Sequence, residues 1–224
     1  MYNLKDLTLV IPAKNESESL PIVLDEIKSY DLNIVIVTPE DDFNTKQAIK
    51  NFKHKIINQK SSGFGDALIT GINSVETKYF CIFNADGSFD PKYLMNLKKE
   101  VENNCDFVFS SRYAKGGGSE DDTILTYVGN KFFTALCNIL FKLKLSDVLY
   151  TYVMGSTESF KSLNLSYKDF SFCVEFPIKA KLKNFNITNS ASRERCRIAG
   201  KKKVNELKDG FLILISIIKL FISK

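Results

Sequence analysis

The sequence predicts an α/β fold in which a mostly parallel sheet is flanked by helices. Short apolar segments alternate with segments of helical periodicity up to about residue 110, which is the pattern of strands joined by right-handed crossovers. The chain has 224 residues, of which 44% are hydrophobic and 25% charged. That is enough for one domain with a complete core.

The first half of the chain predicts strands and helices in strict alternation. The strands are short runs rich in β-branched and aromatic residues, at 7–11, 33–37, 55–58, 79–83 and 107–109. The helices run from a cap at Asn15 or Ser17 to about Tyr30, over 44–51, over 66–75, and from Pro91 onward. One face of the first helix is apolar, with Leu20, Val23, Leu24 and Ile27. We expect that face to pack on the sheet.

The second half of the chain has a different organisation. A glycine-rich loop leads into a long apolar helix at about 123–141, then into irregular segments and a C-terminal helix. Because no repeat or low-complexity linker interrupts it, we predict one domain over 1–203 and an apolar helix over 204–224.

Composition limits the class of protein. The net charge of +5 is mild, and the five cysteines form no C-x-x-C pair, which favours reduced thiols in the cytoplasm over a disulfide framework. The single histidine, His54, excludes a site built from several histidines. The N-terminus leads through Lys5 and Asp6 directly into a strand, so no secretory signal is predicted.

The C-terminal region combines a basic segment with an apolar helix. Residues 211–222 are apolar nearly all round and would span roughly 18 Å, short of a bilayer core of about 30 Å. The preceding cations are Arg193, Arg195, Arg197, Lys201, Lys202 and Lys203. Together they predict a helix in a membrane interface that faces anionic head groups; a core helix or a dimer contact is the alternative. A nucleic-acid partner is not predicted, because aromatic residues are not interleaved with the basic ones.

Residues 84–91, NADGSFDP, carry the clearest chemical signal, because they follow a buried strand. Ligands in open α/β sheets bind beyond the carboxyl ends of strands. There Asp86, with Ser88 beside it, can hold a hard divalent cation against a phosphate. Asn84 occupies a position where a second carboxylate would be expected.

Three further segments each allow a functional and a structural interpretation. IPAKNE at 11–16 either contacts a nucleotide or caps a helix. Gly63 and Gly65 either let a helix N-terminus approach a phosphate or form a plain turn. SRYAKGGG at 111–118 places Arg112 at the end of a strand, before a loop that either closes on a ligand or only connects elements.

Taken in order, these segments resemble family 2 glycosyltransferases of the GT-A fold, in particular the dolichol- or polyprenyl-phosphate mannosyltransferase-like branch. The resemblance runs from Ile11 to about Gly210 and rests on IPAKNE, GFGDA (63–67), NADGSFDP, SRYAKGGG and RERCRIAGKKKVN (193–205). It implies a nucleotide-diphosphate sugar donor, a divalent metal (Mn or Mg), and a lipid-phosphate or related cell-envelope glycan acceptor. It also implies a peripheral location at the cytoplasmic face of a membrane. The oligomeric state is left open.

The resemblance also assigns residues. Those implied to bind the nucleotide sugar are Pro12, Ala13, Asn15, Glu16, Gly63, Gly65, Asp66, Asn84, Ala85 and Asp86. Those implied to bind the metal are Asp86 and Ser88, and those implied to meet acceptor or donor phosphates are Arg112, Arg195 and Arg197. Asp86 and Arg112 are the implied catalytic residues. Asp147 and Gly155 lie near the position of the family's D-x-x-x-G pattern, at longer spacing.

The chain departs from the family pattern at two places. Asn84 replaces an aspartate. After the second strand, an acidic pattern that grips the base is displaced, with Glu40 or Asp41 as candidate substitutes.

The predicted reaction is inverting transfer to a phosphate, which is already ionised at neutral pH and needs no strong base. Two alternatives stand beside it. A hydroxyl acceptor would need a carboxylate base, for which Asp147 or Glu175 are candidates. A non-catalytic protein that binds nucleotide sugars is the other alternative, suggested by the two departures.

Overall fold

A computed structural model describes residues 2–200 and 203–224. Its main sheet has seven strands in the order β3-β2-β1-β4-β7-β5-β8. The strands are β1 (Tyr2–Pro12), β2 (Tyr30–Thr38), β3 (Lys55–Asn58), β4 (Tyr79–Ile82), β5 (Phe107–Ser111), β7 (Val153–Ser156) and β8 (Ile187–Ala191). The five strands predicted from the sequence are all present. The prediction of a mostly parallel sheet is confirmed, because only β7 runs antiparallel to its neighbours β4 and β5.

Helices cover both faces of this sheet. They are α1 (Leu20–Ile27), α2 (Phe43–Ile49), α3 (Phe64–Asn73), α4 (Leu94–Glu102), α5 (Ile124–Phe141), α6 (Thr157–Ser162), α7 (Phe172–Leu182) and α8 (Glu206–Ile222). A core with α1, α2 and α4 lies on one face, and a core with α3, α5, α6, α7 and α8 on the other. The apolar face predicted for α1 is fully buried.

The start of α1 differs from the prediction. The helix begins at Leu20, after Ser19, so neither Asn15 nor Ser17 is its cap. Asn15 has a left-handed backbone with φ of +55°, and its N–H donates to Asp42 at 2.7 Å. The backbone of Asn15 is therefore hydrogen-bonded to the segment that joins β2 to α2.

The C-terminal helix shares the core of the domain. Ile213, Ile217 and Leu220 of α8 are buried against α5 and α7, and the rings of Phe141 and Phe221 meet edge to face at 5.9 Å. The core-helix interpretation of residues 204–224 thus holds for one side of α8. The opposite side, with Phe211 and Ile222, is exposed.

Candidate functional site

One cavity of about 990 Å³ opens at the carboxyl ends of the parallel strands, where ligands bind in sheets of this kind. The site residues predicted from the sequence that line it are Pro12, Ala13, Asn15, Glu16, Gly63, Asn84, Ala85, Asp86, Ser88, Arg112 and Arg197. Gly65, Asp66 and Arg195 were also predicted, and the structure does not place them in its lining.

The loop after β4 places Asp86 at the cavity. Asp86 accepts a hydrogen bond from the Ser88 N–H through Oδ1 at 3.0 Å, which forms a tight local turn. Gly87 supplies the positive φ of +81° that this turn needs. The amide of Asn84 donates to the hydroxyl of Ser88 at 3.1 Å, so Asn84 holds the side chain that was predicted as the second oxygen ligand.

Arg195 holds this loop from outside the cavity. Its guanidinium donates to the carbonyls of Gly87 at 3.1 Å and Phe89 at 3.0 Å, and it grips both carboxylate oxygens of Glu26 at 2.7 and 2.9 Å. The predicted contact of Arg195 with a phosphate is therefore not supported. Arg197, two residues further along the chain, lines the cavity, whereas Arg195 does not.

Arg112 reaches the cavity wall but is already surrounded by carboxylates. It donates to Asp147 through Nε at 2.8 Å and Nη2 at 3.1 Å, and Nη1 lies 3.2 Å from Glu194 and 3.4 Å from Asp122. Burial lowers the pKa of Arg112, but the charges of Asp147 and Glu194 and the hydrogen bonds to Asp147 together outweigh burial, so the pKa lies well above its usual value. The structure gives Arg112 an organising role in this wall.

Two of the three glycines after Arg112 have a structural reason: Gly116 has a positive φ of +94°, and Gly117 is closely packed. A Cβ on Gly117 would lie 2.6 Å from the Ser111 carbonyl oxygen. The next residues form β6 (Gly118–Ser119), which pairs with β9 (Arg193–Glu194). The loop thus brings Glu194 and the basic segment beside Arg112.

Neither carboxylate considered as a base for a hydroxyl acceptor lies in the cavity. Asp147 is fully buried under Arg112. Glu175 is also fully buried, and it accepts from the N–H groups of Ser166 at 3.0 Å and Tyr167 at 2.8 Å. Both side chains therefore have structural roles, and that version of the hydroxyl-acceptor hypothesis is corrected.

The acidic residues after β2 divide into two roles. Asp42 caps α2 by accepting from the Thr45 N–H at 3.2 Å, and it also accepts from Asn15. Burial raises the pKa of Asp42, but these hydrogen bonds outweigh burial and leave it below its usual value. Glu40 and Asp41 line the cavity instead, as the displaced acidic pattern predicted.

Gly63 and Gly65 accommodate protein backbone. A Cβ on Gly63 would lie 2.1 Å from the Lys168 carbonyl oxygen, and one on Gly65 would lie 2.2 Å from that of Tyr167. The Asp66 N–H, in the first turn of α3, donates to Lys168 at 3.0 Å. The plain-turn interpretation therefore describes this segment, although Gly63 still borders the cavity.

The charge of the cavity favours a metal ion. Among the described residues its lining has nine carboxylates, Glu16, Glu40, Asp41, Asp86, Asp121, Asp122, Glu194, Glu206 and Asp209, against four cations, Lys14, Arg112, Arg197 and Lys203. Arg197 pairs with Asp121 at 2.9 Å, and Lys203 pairs with Glu16. Lys201 and Lys202 lie outside the described residues.

No cluster of three or more His, Cys, Asp or Glu side chains suited to a metal occurs among residues 2–200 and 203–224. A single carboxylate, Asp86, nevertheless fits a divalent ion whose other ligands are substrate phosphates and water, as Mg²⁺ is commonly held. An acidic cavity would repel a bare diphosphate, and a divalent ion would offset that repulsion.

The part of the cavity beside α5 and α8 carries apolar side chains next to the carboxylates Glu206 and Asp209. The apolar side chains come from these two helices and from two loops: Leu125, Phe133, Leu149, Phe170, Leu207 and Ile213. Helical periodicity indicated that α5 and α8 are apolar, but their pairing across a cavity depends on tertiary packing.

A family model assigns the chain. The model for glycosyl transferase family 2 matches residues 8–163, which include β1, the loop of Asp86 and β7. The chain belongs to glycosyl transferase family 2. The resemblance inferred from the sequence is thereby confirmed.

Curated relatives within this family are partial matches. Uncharacterized glycosyltransferases of Mycobacterium bovis and Mycobacterium tuberculosis are each 29% identical over 111 residues, covering 50% of this chain and 50% of the relative. The chain thus matches about half the length of these relatives.

Solved structures confirm the GT-A fold. Glucosyl-3-phosphoglycerate synthase from M. tuberculosis with UDP superposes with a TM-score of 0.75 at 13% identity, over 97% of this chain and 80% of that one. The same enzyme with Mn²⁺, UDP-glucose and phosphoglyceric acid gives the same values. Its complex with Mg²⁺ and UDP has a TM-score of 0.74 at 14% identity, over 97% and 79% of the two chains.

Proposed function

We propose that this chain transfers a sugar from a nucleoside-diphosphate sugar to a lipid phosphate, with inversion and with Mn²⁺ or Mg²⁺. The observation that carries this proposal is the continuity of one cavity. Asp86 and Ser88 line it at the strand termini, and α5 and α8 add the apolar side chains of Leu125, Phe133, Leu207 and Ile213 to its wall, beside the carboxylates Glu206 and Asp209. A phosphate joined to a long hydrocarbon likewise combines a charged group with an apolar chain.

In the proposed reaction, an oxygen of the acceptor phosphate attacks the anomeric carbon of the sugar. The bond from that carbon to the diphosphate oxygen breaks, and its electron pair leaves with the nucleoside diphosphate. The attacking phosphate is ionised, so no proton has to be removed. When bound, the divalent ion would neutralise charge on the leaving diphosphate.

The residues of this chain position the reactants. Asp86 would hold the ion together with the diphosphate, with Ser88 as a second oxygen ligand. Pro12, Ala13 and the segment that carries Glu40 would surround the nucleoside. Arg197 forms an ion pair with Asp121. Of the arginines that line the cavity, it is the one best placed to leave that carboxylate and bind a phosphate instead.

A soluble hydroxyl acceptor is the second candidate, because the structural neighbour is solved with phosphoglyceric acid. The base would then be a carboxylate of the cavity. Glu194 is suited to it, since burial raises its pKa more than the nearby Arg112 lowers it.

A thermal-shift screen of nucleotide sugars, with and without Mn²⁺, tests the donor half of the proposal. We expect a rise in melting temperature only when sugar nucleotide and metal are both present, and none in Asp86→Ala. Metal-dependent donor binding without transfer to any acceptor would instead support the non-catalytic alternative.

The acceptor half is tested by transfer from a radiolabelled donor. We expect label on a short-chain prenyl phosphate, extracted into organic solvent, and little on phosphoglyceric acid. Label only on phosphoglyceric acid would overturn the lipid acceptor and leave the donor assignment intact.

A further inference from the structure

We propose that the exposed apolar sides of α5 and α8 dock together on the surface of a membrane that contains anionic lipids. This inference rests on the proposed function, because a lipid acceptor would be supplied from that membrane. It differs from the sequence prediction, which considered the C-terminal helix alone, since α5 also provides part of the surface.

A continuous apolar stripe runs along the outer side of α5. Ile124, Val128, Phe132 and Ile139 are spaced by four, four and seven residues, so they share one face of the helix. They are 85%, 57%, 53% and 76% exposed. Contiguous exposure of large apolar residues on this scale is typical of an interaction surface.

Helix α8 extends the surface beside α5. Phe133 lies next to Gly210 near the start of α8, and Phe141 meets Phe221 near its end, so the two helices run side by side in the same direction. The side of α8 away from the core is also apolar and exposed, with Leu207, Phe211, Ile218 and Ile222. We call the exposed apolar residues of both helices the α5–α8 face.

The charges around the α5–α8 face select an anionic partner. Residues 124–144 contain three lysines, Lys131, Lys142 and Lys144, and no acidic residue. Helix α8 and the two residues after it contain Lys208, Lys219 and Lys224 against Glu206 and Asp209, both in the first turn of the helix. Lysines beside an apolar helix face attract anionic head groups while the apolar side chains enter the interface.

The geometry fits a helix that lies on the membrane. Within the described part of the chain, α5 alone is long and apolar enough to cross a bilayer by length and composition. The chain, however, turns back along it: Asn138 donates to the Leu145 carbonyl at 2.7 Å, and Thr134 accepts from the Val148 N–H at 3.2 Å. These contacts hold one side of α5 in the protein core, so only the other side is available to lipid.

The α5–α8 face adjoins the part of the cavity that α5 and α8 line. Leu125 and Phe133 of α5, with Leu207 and Gly210 of α8, line the cavity between the two helices. A lipid phosphate in the docked membrane could therefore enter between α5 and α8 without its hydrocarbon chain passing through water.

Vesicle sedimentation tests the proposal with the full chain. We expect binding to vesicles of phosphatidylglycerol and phosphatidylcholine, weaker binding to phosphatidylcholine alone, and release by salt. The double variant Val128→Glu, Ile139→Glu should reduce binding at least about tenfold. Neither residue lines the cavity.

Ile22→Glu is the matched control, because Ile22 is also an exposed isoleucine on a helix but lies in α1, on the opposite face of the sheet. It should bind vesicles as the parent does. Absence of binding to anionic vesicles, or equal loss in the control, would overturn the proposal. A dimer in sedimentation velocity that the double variant dissociates, with no vesicle binding, would assign the α5–α8 face to a second copy of the chain.

Donor binding separates this inference from the proposed function. The double variant should retain the metal-dependent thermal shift with the donor, and its transfer to a short-chain acceptor in detergent should match the parent. Its transfer to a long-chain acceptor in vesicles should fall with vesicle binding. Vesicle binding by a parent that binds no donor would refute the transferase and leave the docking surface standing.

Discussion

Arg112 and Asp147 form a buried ion pair joined by two side-chain hydrogen bonds. The two residues are 35 positions apart in the sequence, and their contact ties the end of β5 to the segment before β7. Arg112 also lies close to Glu194 and Asp122, whereas Asp147 has Arg112 as its ion-pair partner among the described residues. Removing Arg112 would therefore leave the charge of Asp147 buried without compensation.

We predict that Arg112→Met, which leaves Asp147 buried without its cation, lowers the free energy of unfolding by about 3–5 kcal/mol, the range for breaking a buried pair. Urea unfolding followed by circular dichroism measures it. Glu120→Gln removes the exposed partner of Arg193 and should cost less than about 1 kcal/mol. Similar losses of unfolding free energy in both variants would show that the buried pair of Arg112 and Asp147 stabilises the fold no more than the exposed pair does.

Asn84→Asp should keep the fold and tighten metal binding. The hydroxyl of Ser88 accepts from Asn84 in the structure and can instead donate to a carboxylate, because a hydroxyl serves either role. Asp86→Ala should abolish transfer. Mn²⁺ titrations of transfer rate measure both, and full activity in Asp86→Ala would refute the assignment of the metal site.

Arg195→Met should weaken metal binding although Arg195 lies outside the cavity. The variant loses the hydrogen bonds to Gly87 and Phe89, and charge-assisted bonds of this kind contribute about 1.5–3 kcal/mol each. We expect the Mn²⁺ concentration for half-maximal activity to rise at least about tenfold. Arg193→Met, two residues away on the exposed side, should leave it unchanged; a shift in the control equal to that in Arg195→Met would contradict the positioning role.

Two glycine substitutions should change stability in opposite directions. Gly65→Ala places a Cβ 2.2 Å from the Tyr167 carbonyl oxygen, so backbone must move and the melting temperature should fall. Gly129→Ala, within α5, meets nothing within 4 Å and should gain about 0.5–1 kcal/mol from helix propensity. An unchanged or higher melting temperature in Gly65→Ala would contradict the packing described for Gly65, and a fall in Gly129→Ala would contradict the open space described beside it.

Asp42 should make the stability depend on pH in the acid range. Because its folded pKa is lowered by the hydrogen bonds from Asn15 and Thr45, its stabilisation is complete above the unfolded pKa of about 3.9 and is lost as pH falls through the folded value. Unfolding free energies between pH 5 and pH 3 should therefore fall less steeply for Asp42→Asn than for the parent. Equal slopes would contradict the assignment.

Local patterns predicted the parallel half of the sheet well. The strands at 55–58 and 79–82 were located to within a residue, because each is a short apolar run between turn residues. Strand β7 was not predicted: its residues 153–156 include Gly155, which has low strand propensity, and they form a strand because β4 and β5 both pair with them.

The site was predictable where function depends on a residue's place after a strand. Asp86 and Asn84 follow β4, and Glu40 follows β2, so topology alone brings them to one cavity. Arg112 and Arg195 were assigned to phosphates by the family resemblance. Their actual partners, Asp147 and Glu26, are remote in sequence, and no local pattern indicates such pairs.

The insertion of β7 between β4 and β5 has a consequence for the order of folding. During synthesis the first four strands can pair among themselves, but one edge of β4 stays open until residue 153 has been made. An unpaired edge of an apolar strand can pair with the strands of other chains, which leads to aggregation. Fragments that end before Val153 should therefore aggregate on the ribosome or after release, and a chain that extends past Ser156 should close that edge by itself.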